Sequence, residues 1–348
     1  MPSPPPSDAF DPAAALACWR RRGALRPVEG GLINRTWTVD EPPSAVLQWV
    51  NPIFDPRVHL HVEAVTRHLA AAGLTTPRLV PTPAGRLWIE NAEGCWRLET
   101  YVDGRTVDRL AGPAQAAAAG ELVGRFHAAL ASWRGELHAP PRRIHDSPAR
   151  MAELAGALAA CDGHPLAAEA RAVGGEILAA WAAWEGELEL PERLCHGDLK
   201  VSNVRFDAAG GRALCLIDLD TLEPMPYASE LGDAWRSWCN PAGEDAPEES
   251  RLDLALFAAA ARAWLAAAPP LAERERASLV PGLERIVLEL AARFAADAVR
   301  NRYFHEDRER WPQPGAHNLV RARGQLRLAR SARAQRATCA AIVREAAA

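Results

Sequence analysis

The sequence predicts a bilobal α+β fold, with a strand-rich lobe followed by a helical lobe. Short apolar runs separated by glycine and proline turns dominate residues 11–103, and such runs are typical of strands. Alanine-rich segments of helical length dominate residues 104–348. A run of strands followed by a run of helices is an α+β pattern.

The first lobe is predicted to hold one main helix among short strands. Residues 1–10 are proline-rich and are expected to be disordered, and a short helix follows at residues 11–20. The main helix begins at an Asp-Pro entry signal and ends at Gly73. A strand-turn-strand unit is predicted at residues 24–40 and the next strand at residues 44–51. The main helix is predicted at residues 55–73, and the last two or three strands at residues 77–104.

The second lobe is predicted to be helical apart from one irregular segment, residues 191–240. The alanine blocks are strong helix formers, so they indicate structure and not a functional low-complexity sequence. The predicted helices are residues 113–133, 147–160, 165–187, 250–268, 272–300 and 314–346. The irregular segment contains the polar motif on which the functional prediction depends.

The overall composition disfavours several function classes. The net charge is −4 and the arginines of the last helix are scattered, so nucleic-acid binding has little electrostatic support. The seven cysteines lack a zinc-type spacing and are interpreted as reduced core residues. The start of the chain lacks the apolar core of a signal peptide, and no apolar run is long enough to span a membrane. We therefore expect a cytoplasmic protein with no nucleic-acid and no membrane partner.

The segment "HGDLKVSN", residues 196–203, and the strand end "LIDLD", residues 216–220, together predict a phosphoryl-transfer site. That reaction needs a base or orienting group for the attacking hydroxyl and oxygen ligands for Mg²⁺. Asp198 can accept the hydroxyl proton, Asn203 can offer a carbonyl oxygen, and Asp218 can offer a carboxylate. A single aspartate in a loop is usually a turn former, but this order and spacing match the protein-kinase catalytic arrangement in outline.

Neighbouring residues complete the predicted catalytic segment. His196 is expected to brace the loop through hydrogen bonds, and Gly197 is expected to permit a tight turn. We group Lys200 with the catalytic residues; it is the only lysine of the chain, which excludes a Walker A phosphate loop. Asp220 is interpreted as a loop residue beside the metal, and Glu223 as a solvated turn residue.

These motifs resemble the aminoglycoside phosphotransferase and choline kinase superfamily, which has the bilobal protein-kinase-like fold. The resemblance covers about residues 25–330, and the catalytic motif is its most specific part. More narrowly, several segments are similar to the N-acetylhexosamine 1-kinase branch. They are "EGGLINRTWTV", "VLQWVNPIFDP", "IDLDTLEPMP", "ELGDAWR" and "RYFHEDRERWPQPGAHNLVRARGQLRLA".

The resemblance implies an ATP-dependent small-molecule kinase that uses Mg²⁺. Its acceptor would be a sugar, phosphorylated at the anomeric hydroxyl of an N-acetylated hexosamine. Carried over to this sequence, Asp198 would be the base, and Asn203 and Asp218 would bind the metal.

The same resemblance implies a nucleotide site in the first lobe. Gly30 and Gly31 would cover the phosphates, although an ordinary hairpin turn is the alternative for this pair. Residues 99–104 would form the hinge between the lobes, where Glu99 and Tyr101 offer backbone groups to adenine. A plain strand-to-helix linker is the alternative for that segment.

The third strand departs from the kinase pattern. It usually carries a lysine that contacts the phosphates, whereas "AVLQWV" places Gln48 near that position. The sugar-kinase branch resembles this sequence in its "LQ" strand. Gln48 can contribute a hydrogen bond to the nucleotide site but no charge, which Arg35 or Arg57 could supply.

The C-terminal segment holds the candidates for binding the acceptor, Arg302 and Tyr303. Arginine and tyrosine suit the hydroxyl and acetamide groups of a sugar, and arginine also suits phosphate. The alternative is a helix–helix connection with solvated arginines.

Two other function classes stay open. One is a related kinase that acts on an aminoglycoside, choline, ethanolamine or homoserine, and the acidic segment 240–250 suits a polycationic aminoglycoside. The other is a non-catalytic pseudokinase used as a binding module, which the missing lysine favours and the intact catalytic motif disfavours. The acceptor, the choice between ATP and GTP and the oligomeric state are left open by the sequence.

Overall fold

The structure is a computed structural model, and it describes residues 10–28, 33–139 and 143–346. The prediction of a disordered start concerns residues of which only Phe10 is described. The predicted phosphate-covering pair, Gly30 and Gly31, lies outside the described residues.

The first lobe is built on a five-stranded antiparallel sheet, with strand order β1-β2-β3-β5-β4. Helix α2 leaves the end of β3 and returns the chain towards β4, so it lies beside the sheet and packs on the second lobe. The strands are β1 (Ala24–Pro27), β2 (Arg35–Asp40), β3 (Ala45–Val50), β4 (Trp88–Asn91) and β5 (Gly94–Thr100), and the helices are α1 (Pro12–Ala17) and α2 (Val58–Ala71).

The two faces of this sheet differ in chemistry because side chains alternate along each strand. On one face, Trp37, Leu47 and Trp96 are buried against Leu16 and Trp19 of the α1 region. The opposite face carries polar side chains at the intervening positions of β2, β3 and β5. The sheet therefore has an apolar face covered by the N-terminal segment and a polar face that bounds the cleft between the lobes.

The second lobe is a helical bundle around α8, whose residues are buried along most of its length. Helices α4, α5, α6 and α9 pack on α8, while α3 packs on α7. The helices are α3 (Pro113–Leu130), α4 (Ser147–Ala159), α5 (Ala167–Ala182), α6 (Tyr227–Trp238), α7 (Leu254–Ala267), α8 (Glu273–Arg300), α9 (Ala316–Ala334) and α10 (Arg336–Ala346).

The segment predicted to be irregular, residues 191–240, is more ordered than expected. It contains two small antiparallel pairs, β6 with β9 and β7 with β8, followed by α6. Helix α6 approaches α8 closely, since a Cβ on Gly232 would lie 2.7 Å from the Gly282 carbonyl oxygen. This tertiary contact stabilises a helix that contains a glycine, which local propensity disfavours. The strands are β6 (Arg193–Cys195), β7 (Val204–Phe206), β8 (Ala213–Leu216) and β9 (Glu223–Met225).

A second difference lies at the C-terminal end. The single helix predicted at residues 314–346 is two helices, α9 and α10, separated at Gln335. The amide side chain of Gln335 donates to Leu252 O at 3.0 Å, which fixes the break against the segment before α7. The predicted fold class is confirmed: a β-sheet lobe precedes a helical lobe. No helix in the described ranges has the length and apolar character needed to cross a membrane.

Candidate active site

The catalytic loop begins where β6 ends, and its shape depends on a glycine. Gly197 has a φ of +85°, and a Cβ at this position would lie 2.4 Å from the carbonyl oxygen of Thr221. A side chain there would meet both backbone strain and a steric clash. His196 is buried, and its Nε2 lies 3.0 Å from Ile217 O. His196 thus links the loop to the residue after β8, and Gly197 occupies a turn that a residue with a side chain would not accommodate.

A buried carboxylate beneath the loop was missed by the sequence analysis. Glu230 of α6 accepts the backbone N–H groups of His196 and Gly197 at 2.8 and 2.9 Å, and His127 Nε2 lies 3.2 Å from it. Trp264 Nε1 donates to His127 Nδ1 at 3.0 Å, so His127 Nε2 carries the proton that points to Glu230. Burial opposes ionisation, but the hydrogen bonds from His127 and from the backbone N–H of Gly197 keep the pKa of Glu230 below its ordinary value. Glu230 is thus a structural anchor for the loop.

Asp198 is held as an anion at the mouth of the cleft. Its Oδ2 accepts from Lys200 Nζ at 2.5 Å and from Asn203 Nδ2 at 3.1 Å. Burial alone would raise the pKa of Asp198, but the neighbouring Lys200 outweighs burial and lowers it. About a quarter of its side chain is exposed, 25 %. The carboxylate is therefore both ionised and accessible, as a group that receives a hydroxyl proton must be.

Asn203 and Asp218 offer the oxygen atoms that a hard cation requires. Asn203 turns its amide nitrogen to the Asp198 carbonyl oxygen at 2.8 Å, which leaves its Oδ1 for a ligand. Asp218 follows β8 in a left-handed conformation, with φ of +64°. Burial and the nearby Asp220 carboxylate raise the pKa of Asp218. Within residues 33–139 and 143–346, no donor forms a hydrogen bond with the Asp218 carboxylate, so a divalent cation fits this donor set.

Asp220 connects the two lobes. It is buried and forms an ion pair with Arg97 of β5, and Asn34 Nδ2 donates to its Oδ2 at 2.9 Å. Burial opposes ionisation, but Arg97 lowers the pKa of Asp220. Both carboxylate oxygens of Asp220 are therefore engaged by residues of the first lobe.

The predicted hinge is fastened to the second lobe by Arg205, which the sequence analysis did not single out. Arg205 of β7 donates to the carbonyl oxygens of Val102 and Gly104, and to Tyr101 Oη at 2.7 Å. The Tyr101 amide donates to Ser44 O at 3.2 Å, so this N–H is already used within the lobe. Any contribution of Tyr101 to a nucleotide would come from its carbonyl or its ring.

The remaining predicted nucleotide residues lie on the polar face of the sheet. Gln48 Nε2 donates to Thr36 Oγ1 at 3.1 Å, and its Oε1 accepts from Arg97 Nε at 2.9 Å. The side chain of Glu99 is within 3.1 Å of the same Arg97 Nε. These contacts place Gln48 and Glu99 in one network with Asp220.

The predicted acceptor residues stand apart from the catalytic loop. The backbone amides of Arg302 and Tyr303 donate to Asp297 Oδ1 at 2.8 and 3.0 Å, so a buried aspartate that the sequence analysis missed organises this segment. Tyr303 is 44 % exposed, and its ring centroid lies 5.2 Å from the guanidinium of Arg293. The structure brings neither side chain into contact with Asp198 among its described hydrogen bonds and ring contacts.

The prediction for Glu223 was wrong. This residue lies in β9 and is buried, and its carboxylate accepts the backbone N–H groups of Arg143 and Ile144 at 2.9 and 2.8 Å. The reason is that the strand pairing with β6 carries it inward, where its two oxygens hold the segment before α4. A polar residue after "IDLD" is typical of a turn, so the sequence alone gave no sign of this role.

Comparisons with solved structures place the fold among small-molecule kinases. An aminoglycoside phosphotransferase from Alicyclobacillus acidocaldarius is 18% identical, with a TM-score of 0.58 over 94% of this chain and 96% of that one. A microcompartment-associated aminopropanol kinase is 14% identical, with a TM-score of 0.61 over 94% and 97%. An amicoumacin kinase in complex with AMP-PNP and Ca²⁺ is 12% identical, with a TM-score of 0.59 over 87% of each chain. At these identities the likeness establishes the fold.

The family is established by the sequence itself. Residues 24–277, well over half of the chain, match the phosphotransferase enzyme family known as APH. The matched range includes the polar face of the sheet, the hinge, the catalytic loop and α6. The chain belongs to the phosphotransferase enzyme family, and the expectation of an ATP-dependent small-molecule kinase is confirmed at the level of that family.

Proposed function

We propose that the protein transfers the γ-phosphate of ATP to a hydroxyl group of a small-molecule acceptor, with Mg²⁺ bound by Asn203 and Asp218. One observation carries the proposal. An ionised and accessible Asp198 accepts at Oδ2 from the only lysine, Lys200, and from Asn203, and the backbone carbonyl oxygen of Asn203 accepts from the backbone N–H of Ile217, the residue before Asp218. The proposed base and one proposed metal ligand, Asn203, are thus joined in one hydrogen-bonded unit.

The chemistry follows from this arrangement. Lys200 and Asn203 both bind Oδ2 of Asp198, which leaves Oδ1 to accept a hydrogen bond from the acceptor hydroxyl. Asp198 orients the oxygen for in-line attack and takes its proton as the phosphoryl group is transferred. The ammonium of Lys200 balances the negative charge beside the reacting phosphoryl group. Bound Mg²⁺ would supply charge neutralisation for the phosphate oxygens.

The nucleotide is proposed to bind in the cleft under the polar face of the sheet. Glu99 and Tyr101 would flank the adenine, Gln48 would face the phosphates, and Gly30 and Gly31 would cover them. The complex of an amicoumacin kinase with AMP-PNP and Ca²⁺ supports nucleotide and divalent-metal use in this fold. We choose Mg²⁺ because one carboxylate and one amide oxygen leave positions for phosphate oxygens and water, which is the ligand set typical of Mg²⁺ at nucleotide sites.

The acceptor is proposed to bind between α6, α8 and the segment before α4. Asp233 of α6 uses Oδ1 for Arg236, at 2.9 Å, and its buried Oδ2 has no hydrogen-bond partner among the described residues. Buried His145 has Nδ1 3.0 Å from Glu289, and its Nε2 has no described partner either. An unsatisfied buried polar atom is costly, and Asp233 is close enough to His145 for its charge to act on the imidazole, so we propose that both atoms bind one polar ligand.

Electrostatic coupling connects these two atoms to the catalytic loop. The charge of Arg236 contributes to the low pKa of Asp198, and the charge of Asp233 raises the pKa of both Lys200 and His145. Although burial opposes it, the Glu289 carboxylate raises the pKa of His145 above its ordinary value. His145 Nε2 is thereby favoured as a donor, and Asp233 Oδ2 is an acceptor.

This pair suits an N-acetylhexosamine phosphorylated at its anomeric hydroxyl. A ring hydroxyl would donate to Asp233 Oδ2, and the acetamide carbonyl would accept from His145 Nε2. Arg293 lies close enough to His145 to oppose its protonation, and its guanidinium stacks on Tyr303. Arg302 and Tyr303 would therefore form the outer rim of the acceptor site.

An amino alcohol is the second candidate, because the unpaired Asp233 oxygen would also bind an ammonium group. An aminoglycoside is less well supported than the sequence suggested. In the acidic segment, Glu244 lies 3.4 Å from Arg236, and Asp245 lies 3.5 Å from Arg321 Nε. These contacts reduce the negative charge available to a polycation.

An acceptor panel tests the proposed function. With ATP and Mg²⁺, we expect ADP formation to be fastest with N-acetylglucosamine or N-acetylgalactosamine, and much slower with glucose, because plain hexoses leave the acetamide partner unsatisfied. Ethanolamine, 1-amino-2-propanol, choline, homoserine and kanamycin complete the panel. Turnover of kanamycin or an amino alcohol without turnover of any sugar would contradict the sugar assignment and leave the kinase assignment intact.

Asp233→Asn tests the acceptor site. We expect the KM for the acceptor to rise at least about tenfold, since a hydrogen bond to a charged group is lost. The dissociation constant for nucleotide should stay unchanged. The matched control is Asp162→Asn, an aspartate whose side chain is 88% exposed on the second lobe. An unchanged acceptor KM with wild-type thermal stability would remove Asp233 from the acceptor site.

A further inference from the structure

The polar face of the sheet carries one row of side chains across three strands. Thr36 of β2 is opposite Gln48 of β3, and Gln48 is opposite Arg97 of β5. Hydrogen bonds join the row from end to end, at 3.1 Å between Gln48 and Thr36 and at 2.9 Å between Arg97 and Gln48. Strand β3 carries Gln48 where a kinase usually has a lysine. The positive charge is instead on Arg97, at the directly adjacent position of β5.

Arg97 is a buried cation at the border between the lobes. It is 1 % exposed, and its guanidinium contacts Glu99 at 3.1 Å and forms an ion pair with Asp220. Asp220 belongs to residues 217–221, which we call the metal loop because they include the proposed metal ligand Asp218. Asp218 is also near enough to stabilise the positive charge of Arg97. A guanidinium offers five N–H donors in a rigid plane, so it can hold several carboxylates and still contribute charge to the cleft.

Two other charged residues of the first lobe, Arg57 and Glu63, have partners of their own. The exposed Arg57 is paired with Asp55 at 2.6 Å. Glu63, the acidic residue of α2, is paired with Arg67 and Arg78 at 2.8 and 3.0 Å, so it does not form an ion pair with the third strand.

Helix α2 instead presents two buried histidines towards this region, His59 and His61. Burial lowers the pKa of each to about 4, so both are neutral near pH 7. His59 and His61 therefore contribute no charge to this region near pH 7.

We infer that Arg97 is the nucleotide-positioning cation that strand β3 lacks, and that it acts from β5 on the phosphates while holding the metal loop through Asp220. The inference rests on the proposed function, since it assumes that the phosphates lie under the Thr36–Gln48–Arg97 row. A magnesium–triphosphate complex carries net negative charge, and the described cleft already contains Asp198, Asp218 and Asp220. A fixed buried cation lowers the cost of bringing these negative groups together.

A charge swap between neighbouring positions tests this inference. Arg97→Gln removes the cation, and the double variant Gln48→Lys, Arg97→Gln returns it to β3. The dissociation constant of a fluorescent ATP analogue with Mg²⁺ is the main readout, together with kcat and the KM for the acceptor. We expect Arg97→Gln to raise the nucleotide dissociation constant at least about tenfold with little change in acceptor KM. The double variant should bring the nucleotide dissociation constant back to within about threefold of the wild-type value.

Arg78→Gln is the matched control, because Arg78 belongs to the same lobe but is paired with Glu63. It should leave nucleotide binding unchanged, and thermal unfolding of every variant separates folding from binding. Nucleotide affinity of Arg97→Gln within twofold of the wild type would overturn the inference. If Arg97→Gln does not fold, the folding and nucleotide binding of the double variant decide whether the inference holds. A double variant that folds and binds nucleotide supports the inference, while one that does not fold, or folds without binding, overturns it.

The same measurements separate this inference from the proposed function. Wild-type protein that binds nucleotide but phosphorylates no acceptor would contradict only the proposed reaction. Wild-type protein that binds no nucleotide would overturn both.

Discussion

Asp198→Asn is expected to lower turnover at least about a hundredfold, the usual scale for removal of a general base. Asparagine keeps the shape of the side chain but cannot take a proton from the acceptor. It also removes the negative partner of Lys200, which lies 2.5 Å from the wild-type carboxylate. The loss should therefore fall on kcat, while the loop stays anchored by Glu230 and His196.

Steady-state kinetics and nucleotide titration check this expectation together. The dissociation constant for the magnesium–nucleotide complex should change little, because Asp198 is assigned to the acceptor side. The exposed control Asp162→Asn should retain wild-type kcat. Near-normal turnover in Asp198→Asn would show that another group accepts or orients the hydroxyl.

Asp218→Ala is expected to abolish metal-dependent nucleotide binding, with a loss of affinity of at least about a hundredfold. Asp218 is the carboxylate of the proposed metal site, and Asn203 alone offers one neutral oxygen. Binding a cation would also relieve the repulsion from Asp220 that raises the pKa of Asp218. Removing the carboxylate takes away both the proposed metal ligand and the repulsion from Asp220 that metal binding would relieve.

Isothermal titration with ATP in the presence and absence of Mg²⁺ measures the effect. Wild-type affinity should rise when Mg²⁺ is added, and the affinity of Asp218→Ala should be the same with and without it. Asp162→Asn again serves as the control for a lost carboxylate. An Asp218→Ala variant whose affinity still rises with Mg²⁺ would mean that Asp218 merely ends a strand.

The catalytic loop could be predicted from the sequence because its chemistry is local. Asp198, Asn203 and Asp218 lie within 21 consecutive residues. Short strands β7 and β8 pair directly, and Ile217 N donates to Asn203 O at 3.0 Å, which brings Asn203 beside the segment that contains Asp218. Spacing along the chain was therefore enough to predict their proximity.

The supporting network could not be predicted because its partners are far apart in the chain. Gln48 and Arg97 meet only through the register of β3 with β5, and Asp220 reaches Arg97 across 123 residues. His145 and Glu289 are separated by 144 residues. No local pattern marks such pairs, and the sequence analysis named Arg35 and Arg57, not Arg97, as possible sources of the missing charge. The fold class was predictable, since it depends on composition and periodicity over long segments.

The central claim is that this cleft moves the γ-phosphate of a nucleotide to an acceptor hydroxyl. Phosphorus NMR of the wild-type protein with ATP, Mg²⁺ and N-acetylglucosamine or N-acetylgalactosamine tests it most directly. The account predicts that the γ-phosphate resonance of ATP disappears while ADP and one phosphomonoester appear, and that the ester phosphorus couples to the anomeric proton of the sugar. Folded protein that binds nucleotide but leaves ATP unchanged with every acceptor of the panel would contradict the account.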